Sequence, residues 1–78
     1  MFKWLHKIFS KEHQWFFCIG FTDENTNLEY EISLCETGKT AQEAYLKALD
    51  SILKYAREKR GFSVNEKACV LKKHYRVN

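Results

Sequence analysis

Residues 41–60 read AQEAYLKALDSILKYAREKR, and this stretch decides the fold. Cationic side chains gather at its C-terminal end, where a helix dipole favours positive charge, and Gly61 follows as a predicted C-cap. The spacing predicts one long amphipathic helix, because the apolar residues recur at intervals of three and four: Ala41, Ala44, Tyr45, Ala48, Leu49, Ile52, Leu53 and Ala56.

The three residues before this helix, Gly38-Lys39-Thr40, match the end of a phosphate-binding P-loop. The first glycine of that motif would fall at position 33, which is Ser33 in a predicted strand. Thr40 and Glu43 instead fit a capping box, in which the Thr40 hydroxyl accepts a hydrogen bond from the amide of residue 43 and the Glu43 side chain accepts one from the amide of residue 40. We therefore expect helix capping here rather than nucleotide binding.

Two predicted strands precede the helix, and a third follows it. Residues 14–22, QWFFCIGFT, are apolar on both faces, as is typical of a central strand. Residues 28–35, LEYEISLC, alternate between apolar and polar types, which predicts a hairpin over 14–35 with a polar turn at 23–27. Residues 67–77, KACVLKKHYRV, predict the third strand.

The N-terminal residues 1–11 predict a short amphipathic helix with lysines on its polar side. So short a helix is marginal in water unless it packs on something. We expect it to cover the second apolar face of the sheet, the alternatives being a docking arm for a partner or for a membrane surface. Its apolar stripe consists of Phe2, Trp4, Leu5, Ile8 and Phe9.

The predicted element order is α-β-β-α-β in a single small α/β (α+β) domain that spans residues 1–78. A right-handed crossover through the long helix makes strands two and three parallel, with strand one between them. The sheet is therefore a three-stranded one of order 2-1-3. The residues expected to be fully buried are Phe17, Ile19, Leu49 and Ile52.

Composition narrows the functional classes. Three cysteines at wide spacing form neither a disulfide framework nor a zinc-binding pair, which favours a reducing cytoplasm and no bound metal. No apolar run reaches the ~20 residues of a membrane span. No catalytic set of side chains is evident, so we expect a non-enzyme without a cofactor or a small-molecule substrate.

The distribution of charge favours a docking function. Residues 12–38 carry six acidic and no Lys or Arg residues, whereas residues 39–78 carry ten Lys or Arg and four acidic residues. We expect an adaptor or an inhibitor that binds a protein partner through its charged surface. An inhibitor encoded by a virus or a mobile element is one concrete version of this hypothesis. The acidic side chains proposed for contact are Asp23, Glu24, Glu29, Glu31 and Glu36.

The basic C-terminal strand supports an alternative, nucleic-acid binding through Lys72, Lys73, His74 and Arg76. Alternation places Lys72, His74 and Arg76 on the face of Phe16. Aromatic and basic residues on one sheet face resemble the RNA-binding surface of RRM-type folds, where bases stack on aromatic rings. The KKHYRV tail is also similar to the basic strand that ends small bacterial ribonuclease toxins, which would imply acid–base cleavage of RNA.

Overall fold

The computed structural model describes residues 12–78, which form three strands and one long helix. Strand β1 is His13–Asp23, β2 is Leu28–Gly38, helix α1 is Ala41–Lys54 and β3 is Val70–Arg76. The strands make one antiparallel sheet of order β2-β1-β3, which confirms the predicted strand order 2-1-3 of the sheet within a small α+β fold. The helix predicted over 1–11, with its apolar stripe, lies outside the described residues.

Strand β1 is the centre of the sheet. Each of its residues pairs with β2, and residues 15–20 also pair with β3. Since β2 and β3 both run antiparallel to β1, they are parallel to each other, and the chain segment that contains α1 is the crossover between them.

The core lies between α1 and one face of β1, here called the helix face. The four residues expected to be fully buried are buried, which confirms this part of the prediction. Ala44 and Ala48 of α1 and Ala56 of the turn after it are fully buried. Their small side chains allow the backbone of the helix and of the turn to approach the sheet closely. The whole core is made by Phe17, Ile19, Phe21, Ala44, Ala48, Leu49, Ile52, Leu53, Ala56 and Val64.

The start of α1 confirms one half of the capping prediction, since the Thr40 hydroxyl accepts a hydrogen bond from the Glu43 amide at 3.2 Å. The other half is not observed, because the Glu43 carboxylate lies 3.8 Å from Lys47 Nζ instead of accepting from the Thr40 amide. Gly38 is buried and ends β2, three residues beyond the predicted end of that strand. A Cβ atom there would lie 2.8 Å from the Ala44 amide nitrogen, so Gly38 permits the close contact between strand and helix.

Other element boundaries differ from the prediction. The helix predicted over 41–60 is α-helical only to Lys54 and continues as a wider π-helical turn, Tyr55–Lys59. Gly61 then takes a φ of 67°, a conformation that glycine adopts without strain. The third strand begins at Val70 rather than at residue 67. The Asn65 side chain accepts a hydrogen bond from the Lys67 amide and so holds Glu66–Ala68 in a 3₁₀ turn before the strand.

A bulge in β3 corrects the predicted facing of the basic strand. The register with β1 shifts between Cys18 and Ile19, which leaves Lys72 as an extra residue. Tyr75 therefore pairs with Phe16, and Lys73 with Cys18, on the face away from α1, here called the open face. His74 and Arg76 pair with Phe17 and Trp15, so they lie on the helix face rather than with Phe16.

Candidate docking site

The two edge strands of the sheet differ in how well they are protected against pairing with a further strand. Strand β3 is short, carries a bulge and exposes four basic side chains, all of which hinder further strand pairing. Strand β2 is eleven residues long, pairs with β1 without a bulge and contains neither Lys nor Pro. Within residues 12–78, only β1 pairs with β2, so its outer edge is open to a further strand. Near the end of that edge, Lys47 Nζ donates to the Thr37 carbonyl at 3.2 Å.

An apolar groove of about 530 Å³ runs beside this open edge, on the helix face. The sheet supplies one wall, and the helix with the segment that follows it supplies the other. Such a volume is in the range of sites that hold a large side chain or a small ligand. The lining residues are Phe21, Tyr30, Glu31, Ile32, Leu34, Ser51, Ile52, Tyr55, Arg60 and Phe62.

Stacked aromatic rings form the end of the groove. The ring centroids of Tyr30 and Phe62 lie 4.6 Å apart, and those of Phe21 and Tyr30 lie 5.8 Å apart. The Arg60 guanidinium lies 5.0 Å from the centre of the Phe62 ring, within cation–π distance. These contacts hold the groove wall in place, while Tyr55 remains 45% exposed at its margin.

Asp23 holds the hairpin turn against the segment after the helix. It is only 4% exposed, and its carboxylate accepts hydrogen bonds from the Ser63 amide at 3.0 Å, the Asn25 amide at 3.2 Å and the Thr26 hydroxyl at 3.0 Å. The Ser63 amide does most to lower the pKa of this carboxyl from its usual range; burial opposes that shift, and the Asn25 and Thr26 donors add to it. Asp23 is therefore occupied inside the protein and is not presented to a partner.

The other acidic residues predicted for contact have different surroundings. Glu24 belongs to the same turn, where it accepts a hydrogen bond from the Ser63 hydroxyl at 3.2 Å and its amide donates to the Ser63 carbonyl at 2.9 Å. Glu29 and Glu31 lie on the open face of β2, and the Cys18 thiol donates to Glu31 at 3.4 Å. Glu36 lies on the helix face, and its carboxylate accepts a hydrogen bond from the Thr37 amide. The hairpin thus offers three acidic side chains along β2, and not a cluster of five.

The basic residues of β3 divide between the two faces. On the open face the Phe16 and Tyr75 rings stack at 4.9 Å, and Lys73 Nζ lies 5.8 Å from the centre of the Tyr75 ring. The Lys72 stem crosses Gly20 so closely that a Cβ there would lie 2.8 Å from Lys72 Cε.

On the helix face, the His74 ring lies 6.5 Å from that of Phe17. Arg76 pairs with Trp15 on the same face. The four basic residues therefore do not form one surface.

The three cysteines are free and distributed over both sides of the fold. Burial raises the pKa of the Cys69 thiol, and the nearby Glu66 adds to that shift while Arg57 opposes it, so Cys69 is a poor nucleophile. Burial likewise raises the pKa of the Tyr45 hydroxyl, with smaller contributions from Cys69 and Glu66. Residues 12–78 contain no cluster of potential metal ligands, and none of their helices has the length and apolar character to cross a membrane.

The groove was not predicted from the sequence. Residues 62–66 had no predicted role, although Phe62 directly follows the helix-ending glycine, where an apolar residue commonly packs back on its helix. Tyr55, a large ring outside the main apolar stripe of the helix, was a second available signal. Comparison with protein-family models, curated proteins and solved structures found no match to this chain.

Proposed function

We propose that the protein is a small non-enzymatic docking module, acting as an adaptor or an inhibitor, that binds a protein partner along β2. The observation that carries the proposal is the contrast between the two sheet edges: β3 has a bulge and lysines, whereas β2 is long, regular and free of both. Proteins normally protect such an edge, so an open one is typical of a site for strand pairing. We further propose a cytoplasmic location, which the three free cysteines support.

Charge supports the choice of a basic partner surface. Glu29, Glu31 and Glu36 lie along β2, and this strand carries no cationic residue. A partner with positive charge beside its docking strand gains favourable cross-strand contacts, and an acidic partner is repelled.

The matching experiment is affinity capture from a nuclease-treated cell lysate, with the wild-type chain and two charge-reversed variants. E29K/E31K changes the β2 edge, and K72E/K73E changes the β3 edge by the same amount of charge in the opposite direction. Circular dichroism and thermal unfolding establish that both variants are folded. We expect proteins retained by the wild-type chain to remain with K72E/K73E and to be lost with E29K/E31K.

Nucleic-acid binding is the second candidate, and the stacked Phe16 and Tyr75 rings beside Lys73 favour it. Glu29 and Glu31 share that face and oppose a phosphate backbone. The same capture is repeated from a lysate that has not been treated with nuclease. If the wild-type chain then retains RNA or DNA and K72E/K73E does not, nucleic-acid binding replaces protein docking as the proposed function.

A further inference from the structure

The groove and the edge of β2 that is open within residues 12–78 form one continuous surface, since Tyr30, Ile32 and Leu34 belong to both. Resting on the proposed function, we infer that the partner supplies an extended segment that adds to the sheet as a further strand beside β2. One large apolar side chain of that segment enters the groove, and basic residues at the neighbouring positions lie beside Glu29 and Glu31.

The alternation of β2 sets this pattern. Its even-numbered residues 30, 32 and 34 face the helix side, where the groove lies, and Glu29 and Glu31 face the open side. A strand paired with β2 alternates in the same way. Its side chains therefore point in turn toward an apolar groove and toward two carboxylates, and an apolar residue flanked by Lys or Arg matches both.

The two carboxylates are available for such a contact. Among residues 12–78, the salt bridge is that of Lys47 with Glu43, and no Lys or Arg in this range pairs with Glu29 or Glu31. Glu31 receives one long hydrogen bond from the Cys18 thiol, and the Lys72 stem crosses Gly20, the partner of Glu31 on β1, without forming an ion pair with it. Within residues 12–78 the Glu31 carboxylate is therefore near a cation but is not held in a direct ion pair.

A second copy of this chain fits the edge less well than a basic segment. Antiparallel pairing of two β2 strands around Tyr30 or Glu31 brings the acidic residues of one copy against those of the other on the open face. Like charges placed directly opposite in a sheet are destabilising. Self-pairing is thus disfavoured in these two registers. Registers centred on Ile32 or Ser33 avoid the repulsion, but they leave Glu29 and Glu31 without a cationic residue opposite, which a basic segment supplies.

The test uses the intact chain and a library of random linear twelve-residue peptides displayed on phage. Selected peptides are synthesised, and their affinities are measured by fluorescence anisotropy against matched variants. Tyr55→Ala removes a groove side chain that is 45% exposed, whereas Leu46→Ala removes a 57% exposed side chain of the same helical segment that does not line the groove. Both variants are checked for unchanged thermal unfolding, and Arg60→Ala provides a second groove variant.

We expect selected peptides to carry an apolar residue flanked by basic ones. Tyr55→Ala should weaken their binding about tenfold, since large aromatic side chains are common among the residues whose truncation weakens an interface most, and Leu46→Ala should change it less than about twofold. E29K/E31K should also weaken binding. Peptides N-methylated on the set of alternate amides that faces β2 should lose affinity because they cannot pair with it, whereas methylation of the other alternate set should have little effect.

Three outcomes would overturn the inference: a library that yields no binder, binders without the apolar and basic pattern, or equal effects of Tyr55→Ala and Leu46→Ala. The proposed function stands separately. If captured proteins still depend on Glu29 and Glu31 while the peptides fail, the docking surface is retained and strand addition is rejected.

Discussion

The position of Ile52 gives the most direct test of how α1 packs on the sheet. Its side chain is 2% exposed, between the helix and β1. Ile52→Ala removes about three methylene equivalents at about 0.8 kcal/mol each, or about 2.4 kcal/mol of lost burial. The cavity left behind adds to this, and large-to-small core changes of this type cost about 2–5 kcal/mol in total.

A loss of this size is large for so short a chain, whose total unfolding free energy we expect to be about 4–12 kcal/mol. The melting temperature should fall by at least about 10 °C, because each kcal/mol corresponds to about 4–8 °C in a domain of this size. Urea titration followed by circular dichroism at the helix band measures the free energy, and a thermal scan gives the melting temperature independently.

Two controls frame the result. Ile52→Val should cost about 0.5–1.5 kcal/mol, since it shortens the side chain without emptying the site. Leu46→Ala, at a 57% exposed position of the same helix, should change the unfolding free energy by no more than about 0.5 kcal/mol. If Ile52→Ala and Leu46→Ala had the same small effect, the assignment of the buried helix face would be refuted.

Two further predictions concern the helix start and the hairpin turn. Thr40→Ala should lower the unfolding free energy by about 1 kcal/mol through loss of the hydrogen bond to the Glu43 amide, whereas Lys39→Ala should have almost no effect; equal losses in urea titration would contradict the capping role. Asp23 has a pKa lowered below its usual value of 3.8, so its carboxylate stabilises the fold above about pH 4 and this contribution disappears as the pH falls through the folded-state pKa. Asp23→Asn should therefore melt below the wild type at pH 7, with a difference that shrinks toward pH 3; a difference independent of pH would count against the carboxylate bonds as its source.

The sequence predicted the sheet order because two signals agreed. The long helical period fixed the crossover, and the two apolar faces of β1 required a central position. Both signals arise from burial, because apolar residues recur at the positions that are buried in the folded protein. The core residues Ile19 and Leu49 could be identified for the same reason.

The orientation of β3 could not be predicted in this way. All seven of its residues are exposed, so no alternation of apolar and polar types records which face each one occupies. The bulge at Lys72 then shifts the phase by one residue, and the shift carries His74 and Arg76 to the helix face.

The turn and the groove depend on contacts between distant parts of the chain. The DENTN turn was evident from its composition, but the bond between Asp23 and the Ser63 amide joins residues forty positions apart. The groove likewise needs Tyr30 from the hairpin and Phe62 from the far end of the crossover. Neither of these two contacts can be predicted from local sequence patterns.

If a partner docks along β2 as proposed, the opposite charges of the two sheet edges also affect how fast it associates. Glu29, Glu31 and Glu36 follow one outer strand, and Lys72, Lys73 and Arg76 follow the other, so these six side chains contribute an electric moment directed across the strands. In the field of that moment an approaching charged protein rotates before the surfaces touch, which raises the fraction of collisions that arrive at the correct edge. Added salt screens this field over about 10 Å at 0.1 M, so it slows association while leaving the close contacts that set the lifetime of a complex largely intact.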